Sequence, residues 1–440
     1  MRKRLVCLVM ALTLLICFTS VPASAEDVEE PEVRCKAALL VDTKTDQVLF
    51  EKNSHKKMAP ASLTKMMTCL LVMENLDLKK QVKIPAAATG YIGSAIGLKK
   101  GEVFTVEELL NALMIYSAND CAVALGIEVA GSHLKFVEMM NARAEELGLE
   151  NTFFLNANGF TNDMDHHTTA NDLYVIAKKI MQYPEVREIT ARKSFTMPET
   201  TESGPRKLDT TNRLLKKKMY YEGVYGVKTG FMGASGYCFV GACERDGMDL
   251  ICVVLNDETR KESFQDATTL FDYGFNNFYT EKMVDKGEDT GHVMVKNGHE
   301  TFVPTQTKEA GYITLPNQAA ESMADSDVKY EKGIKAPIKK GTKVGVVEMK
   351  QDGKVVSTTD VIITKDVKKG GPWSALYISD MMFYAGVIII AAVILIIVST
   401  NIRRKKRKAA AEARAARRQA AHEAILKAEK EDKIRRDWPF

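Results

Sequence analysis

From Met381 to Val398 the chain runs 18 residues without a charged side chain, and Leu376, Tyr377 and Ile378 extend the apolar character upstream. Inside lipid every backbone N–H and C=O must be paired within the segment, so a run of this length and composition is confined to a helix that crosses a bilayer. Arg403, Arg404, Lys405, Lys406, Arg407 and Lys408 follow directly, and a basic flank marks the cytoplasmic side. The expectation is one transmembrane helix at 376–400, a basic cytoplasmic tail at 401–440, and the bulk of the chain outside the cell membrane. The other end agrees with export. Residues 1–25 carry Arg2, Lys3 and Arg4, an apolar stretch from Leu5 to Phe18, and Ala23-Ser24-Ala25 before Glu26, the pattern of a signal peptide.

Charge is distributed unevenly around this frame. Residues 401–440 hold 14 Lys plus Arg against 6 Asp plus Glu, which leaves residues 26–400 at a net −7. A mildly acidic folded part argues against nucleic acid as a partner. The basic, Ala-rich tail fits a polar helix or a disordered segment beside anionic membrane lipid. Six cysteines lie beyond the signal region, at 35, 69, 121, 238, 243 and 252. Export permits disulfides, yet each of these sits in an apolar run, where a thiol behaves as a small hydrophobe. Free, buried thiols are expected.

Along the exported part, Cys35–Asp42 and Gln47–Glu51 read as two strands joined by a polar turn. Pro60 opens an apolar helix through Met73. Thr105 with Glu108 forms a capping box for a helix whose apolar face holds Leu109, Leu110, Leu113 and Met114. Further helices are expected over Cys121–Ala130 and Leu134–Leu147. Tyr237–Cys243 and Leu250–Leu255 are strands joined at Arg245-Asp246-Gly247. From about Glu281 to Val367 short valine-bearing strands predominate, among them Tyr312–Leu315, Val344–Met349 and Val355–Ile363, the last two forming a hairpin at Asp352-Gly353. Residues 318–332 read as an acidic, polar loop.

Three short constellations could carry chemistry. Ser62 and Lys65 stand three apart at a helix start, where side chains at i and i+3 share a face. The positive helix end favours an alkoxide, and a lysine withdrawn from water loses proton affinity and becomes a base. Ser117 and Asn119 sit on a turn between helices, and could relay a proton and hold an amide. Gly226-Val227-Lys228-Thr229-Gly230-Phe231 opens a run of strands, with Lys228 offering a cation, Thr229 a hydroxyl and Gly230 room for an extended peptide at the strand edge. Each motif alone also fits an ordinary cap or a solvated face. The adjacent His166 and His167 lack any His-Glu-x-x-His or Cys-x-x-Cys partner, so neither a metal nor a cofactor is expected, and their loop is read as bracing the cleft.

In this order the three motifs resemble those of the penicillin-recognising acyl-serine enzymes. The resemblance covers about Cys35 to Phe278. It is strongest to the low-molecular-mass penicillin-binding proteins, the serine-type D-Ala-D-Ala carboxypeptidases. Pro60-Ala61-Ser62-Leu63-Thr64-Lys65, Ser117-Ala118-Asn119-Asp120, the Asn158-Gly159 loop leading to His167-Thr168-Thr169-Ala170, and Gly226-Val227-Lys228-Thr229-Gly230 carry the match.

The resemblance implies an α/β (α+β) β-lactamase/transpeptidase-like catalytic domain at 26–280 and a small all-β spacer domain at 281–367. It implies that Ser62 attacks the carbonyl between the two terminal D-alanines of a peptidoglycan stem peptide, with Lys65 as base and Ser117 returning a proton. Asn119 would hold substrate or orient Lys65, Lys228 and Thr229 would engage the free carboxylate, and Gly230 would leave room for the peptide. The N–H groups of Ser62 and Phe231 would form the oxyanion hole. β-Lactams would acylate Ser62. Phe231 stands where relatives often carry His or Tyr, and Ser263 replaces a downstream arginine, leaving Arg260 as carboxylate partner. The alternatives are a non-catalytic β-lactam or cell-wall sensor and a β-lactamase. No glutamate at the matching loop favours the latter, and the tail shows no signalling domain.

Overall fold

The computed structural model describes residues 29–317 and 324–436. The proposed signal peptide at 1–25 lies outside them, as do 318–323 within the expected polar loop. The chain divides into two compact units. One runs to Lys286 and includes Glu309–Asp327 and Val347–Thr359; the other comprises Gly287–Lys308, Val328–Val346 and the chain from Asp360.

A five-stranded antiparallel sheet forms the centre of the first unit. Its strands are β1 (Ala37–Asp42), β2 (Gln47–Lys52), β7 (Val224–Met232), β8 (Gly236–Arg245) and β9 (Met248–Asp257), in the order β2-β1-β9-β8-β7. All six residues of β1 are buried, because helices cover both faces. Alternate residues serve the two sides, as the two-residue period of a strand requires. Ala37, Leu39 and Val41 enter one core and Ala38 and Leu40 the other.

The larger core gathers helices α1 (Lys65–Asn75), α2 (Val106–Asn111), α3 (Asn119–Ala130), α4 (His133–Glu146), α5 (Ala170–Ile180) and α6 (Pro184–Ala191). The second lies under α7 (Arg260–Asn277), which contributes Phe264, Ala267, Leu270 and Phe271. The unit also holds two small hairpins: β3 (Gln81–Lys83) with β4 (Val103–Thr105), and β5 (Ser194–Met197) with β6 (Arg206–Asp209).

Local sequence explains most boundaries. The capping box of Thr105 and Glu108 is formed in full, but α2 ends at Asn111 and the chain continues as a π-helical turn over Ala112–Tyr116. A second capping box, Thr259 with Glu262, starts α7. Asp246 and Gly247, both at positive φ, make the β8–β9 turn. All six cysteines of the described residues are free and buried.

The all-β C-terminal domain contains β10 (Phe278–Val284) paired with β13 (Gly311–Pro316). It also has a sheet of β11 (Asp289–Met294), β12 (Phe302–Thr307), β14 (Ala324–Tyr330), β15 (Lys343–Gln351) and β16 (Lys354–Ile363), in the order β11-β12-β16-β15-β14. The sequence expectation of a loop over 318–332 is therefore corrected for 324–330. Ala-Asp-Ser-Asp-Val-Lys-Tyr has little strand propensity of its own and is extended as the last strand of that sheet, with no residue fully buried.

After a short turn at Pro372–Leu376, helix α8 runs unbroken from Asp380 to Arg436. It is long and apolar enough to cross a membrane, it begins four residues later than 376, and the basic tail continues it as helix.

Phe271 is fully buried, stacking on Tyr221 at 5.7 Å between ring centroids. Phe271→Ala is expected to cost about 3–5 kcal/mol, measured as a lower denaturation midpoint with an unchanged slope.

Candidate active site

β7 is the outermost strand of the central sheet, and its edge presses on the turn that carries Ser62. A Cβ added at Gly230 would lie 3.0 Å from the Pro60 carbonyl oxygen and 3.4 Å from the Leu63 nitrogen. Gly230 thus lets strand and turn meet without a side chain between them. Ser62 lies in a 3-10 turn, Ala61–Thr64, and the α-helix begins only at Lys65. This corrects the expectation of a serine in the first α-helical turn. Ala61 has φ +46, and the chain tightens there because another loop sits against it. Gly159, at φ +77, comes so close that a Cβ would fall 1.8 Å from the Ala61 oxygen.

Lys65 is fully buried. Its Nζ lies 2.9 Å from Ser62 Oγ, 2.8 Å from Asn119 Oδ1 and 2.7 Å from the Asn158 carbonyl oxygen. A protonated amine donates to all three. A neutral amine has two hydrogens and one lone pair, so it donates to the amide and carbonyl oxygens and accepts from the Ser62 hydroxyl. Burial, then the neighbouring Lys228 charge, pushes its pKa well below the ordinary lysine value, towards the neutral form.

Asn119 opens α3 and is fixed from both ends of its amide. Its Nδ2 donates to the Ile92 carbonyl at 2.8 Å. Asp120 accepts from the N–H groups of Ile96 and Leu98, holding the same loop. Ser117 closes the π-helical turn in the left-handed conformation, φ 72 and ψ 35. Its Oγ is buried and, among the described residues, has no hydrogen-bond partner.

The third motif lies along β7. Lys228 is buried, its Nζ donates to the Thr229 carbonyl at 3.0 Å, and burial lowers its pKa to about 7. The Thr229 hydroxyl donates to Thr211 Oγ1 at 2.8 Å. Phe231 is half exposed and stacks on Tyr237 at 4.2 Å. The Arg260 guanidinium lies 5.8 Å from the centre of the Tyr237 ring.

A cavity of about 130 Å³ is lined by Ser62, Ser117, Thr229, Gly230, Phe231 and Arg260. Every residue singled out in the sequence is thus at the cavity wall or, for Lys65, Asn119 and Lys228, buried. Sequence reasoning missed Ser94, Thr211 and Tyr237 on the same wall, where Ser263 also lies, and the Asn158 and Ile92 carbonyls, which no side chain signals. It also left unassigned the link through His166. There Nδ1 accepts from the Leu155 N–H at 2.9 Å, which leaves Nε2 to donate to Thr64 Oγ1 at 2.8 Å, and Thr64 donates to the Ala61 carbonyl. Burial lowers the His166 pKa to about 4, so the neutral ring that this chain requires persists through neutral pH. The loop braces the Ser62 turn, as its polar sequence suggests.

An α/β domain with a serine and a buried lysine in contact, facing the edge strand of its sheet, defines the class of penicillin-recognising serine enzymes. Comparison with known proteins narrows it. Residues 24–259 match the D-alanyl-D-alanine carboxypeptidase family, and residues 278–369 match the penicillin-binding protein 5 C-terminal domain. The chain is similar to D-alanyl-D-alanine carboxypeptidase DacF of Bacillus subtilis, 36% identical over 343 residues, covering 76% of this chain and 86% of that one. DacC of Escherichia coli is 31% identical over 372 residues, covering 82% and 91%. Penicillin-binding protein 5 of Haemophilus influenzae superposes with a TM-score of 0.66 at 28% identity, covering 78% of this chain and all of that one. The chain belongs to the serine-type D-alanyl-D-alanine carboxypeptidase family and is a penicillin-binding hydrolase.

Gly159→Ala is expected to displace the Ser62 turn by an ångström or more. Misplacement on that scale costs about 100-fold in rate, read as slower labelling by a fluorescent penicillin while the circular dichroism spectrum stays unchanged.

Proposed function

We propose that Ser62 is the nucleophile through which this carboxypeptidase removes the terminal D-alanine of peptidoglycan stem peptides. The observation that carries the reading is the contact of Ser62 Oγ with a lysine amine that is fully out of water. Ser62 Oγ attacks the carbonyl carbon of the penultimate D-alanine as its proton passes to neutral Lys65 Nζ. The Ser62 and Phe231 N–H groups receive the developing oxyanion; loss of one such donor costs roughly two to three orders of magnitude.

Ser117, whose hydroxyl has no hydrogen-bond partner among the described residues, carries the proton from Lys65 to the departing D-alanine nitrogen, and the C–N bond breaks. Asn119 keeps Lys65 in place. Water then attacks the acyl ester, giving a proton back through Lys65, and Ser62 is regenerated. Lys228 and Thr229 hold the substrate's free carboxylate, an ionic contact that selects a chain end, with Arg260 as a second cation at the cleft. A β-lactam enters the same route and remains as the acyl ester on Ser62.

A signal peptide at 1–25 exports the chain, α8 anchors it in the cell membrane with the catalytic domain outside, and the basic end of α8 lies in the cytoplasm near anionic lipid. The catalytic domain occupies 26–280 and the β-rich domain at 281–367 acts as a spacer. Trimming of stem peptides places the enzyme in peptidoglycan biosynthesis and the maintenance of cell shape.

Two measurements test this. Full-length protein in detergent is expected to release D-alanine from a peptide ending in D-Ala-D-Ala, and Ser62→Ala to release none; release by Ser62→Ala removes the assignment. The pH profile tests the lysines. Lys228 must be charged to hold a carboxylate, so kcat/KM should fall as pH rises through about 7, while kcat, measured with the carboxylate bound beside it, falls only at higher pH. Lys228→Arg should move the alkaline limb of kcat/KM upward, since guanidinium keeps its charge.

A further inference from the structure

Behind the central sheet, in the core under α7, lies a group of side chains the reaction does not use. Cys35 precedes β1, Asp257 ends β9, and Asp266 is on α7; they are 0%, 2% and 3% exposed. One donor atom from each lies within 4.8 Å of the others. Asp266 Oδ2 accepts from the N–H groups of Arg34 and Cys35 at 2.6 and 2.8 Å. Asp257 is different: among the described residues neither of its carboxylate oxygens meets a backbone N–H or a basic or hydroxyl donor, and the group it faces is the Asp266 carboxyl. A carboxylate taken from water without a donor is strongly destabilised, so it must take up a proton or face a cation. Burial, then the nearby Asp266 and Glu262 charges, pushes its pKa up to about 8.

We propose that Cys35, Asp257 and Asp266 hold a zinc ion that ties the start of β1 to the corner between β9 and α7. One thiolate and two carboxylates form a borderline donor set that suits zinc, with water in the fourth position. Tetrahedral coordination with Zn–S near 2.3 Å and Zn–O near 2.0–2.2 Å puts donors roughly 3.3–3.8 Å apart. Donors that lie within 4.8 Å of one another therefore need to close by at most about 1.5 Å. On binding, the Cys35 thiol and the protonated Asp257 carboxyl give their protons to solvent and no electron is transferred.

A path exists. A cavity of about 560 Å³ reaches Asp266 and is lined by Glu30, Glu32 and Glu51, with Arg34 and Lys52 as counter-charges. The three ligands share no spacing motif, because they come from the two ends of the catalytic-domain sequence. The site bears on the cleft through α7, whose first turn carries Arg260 and Ser263.

The test begins with full-length protein purified without chelator, with metal content measured by mass spectrometry. The expected result is about one zinc per chain, reduced to background in Cys35→Ser and in Asp257→Asn but retained in Cys69→Ser, whose thiol is buried elsewhere. Cobalt(II) in place of zinc should give a thiolate charge-transfer band in the near ultraviolet, absent from Cys35→Ser. Where a variant fails to fold, the wild type decides alone, through its zinc content and a rise in Tm when zinc is returned after chelation. Zinc-free wild type whose Tm does not respond to added zinc overturns the proposal, as does full zinc retention by Cys35→Ser. A higher Tm for Asp257→Asn without metal dependence would assign the pair to a shared proton instead.

Discussion

The amine of Lys65 is bonded to three segments that lie far apart in the chain: the turn of Ser62, the start of α3 at Asn119, and the loop at Asn158. A group that polar is withdrawn from water at least cost where its partners are complete, and here the three segments together supply them. The remaining architecture supplies them. Asp120 and the Ile92 carbonyl secure the Asn119 side, His166 and Thr64 secure the Ser62 side, and the absence of a side chain at Gly159 lets the third loop approach. The central sheet, covered on both faces, gives β7 a rigid edge against which this group is assembled.

Much of this was legible in the sequence because the chemistry is carried by side chains at short, fixed spacings. Ser62 with Lys65, Ser117 with Asn119, and Lys228 with Thr229 and Gly230 could each be placed on an element and then found at one cleft. Turn and cap chemistry was equally readable, as at Asp246-Gly247 and at the Thr105–Glu108 box, since these depend on residues within three or four of one another. The four apolar strands of the sheet also declared themselves, in particular β1 with apolar residues on both faces.

What stayed hidden depended on the backbone or on distant partners. The Asn158 and Ile92 carbonyls have no residue-specific signature. The π-helical turn before Ser117 and the 3-10 turn at Ser62 are local departures from an otherwise helical pattern, and the pattern alone predicts an α-helix through both. Strand β14 was read as a loop because its composition is polar; its extended form comes with its place in the sheet. Arg260 could be placed at the start of α7, but its position beside Tyr237 depends on β8 and α7 packing together.

Lys228 shows what this arrangement does to the protein's own durability. Its amine is as deeply buried as a core phenylalanine, yet among the described residues a single carbonyl is its hydrogen-bond partner. An aliphatic side chain of the same length would fill the space with no desolvation penalty, so the empty enzyme is less stable than its fold permits. On the role proposed for Lys228, the shortfall is recovered when an anion arrives, and the carboxylate end of a substrate or a β-lactam is then a folding ligand as well as a reactant. Resistance to unfolding in this chain therefore depends on how often its cleft is filled.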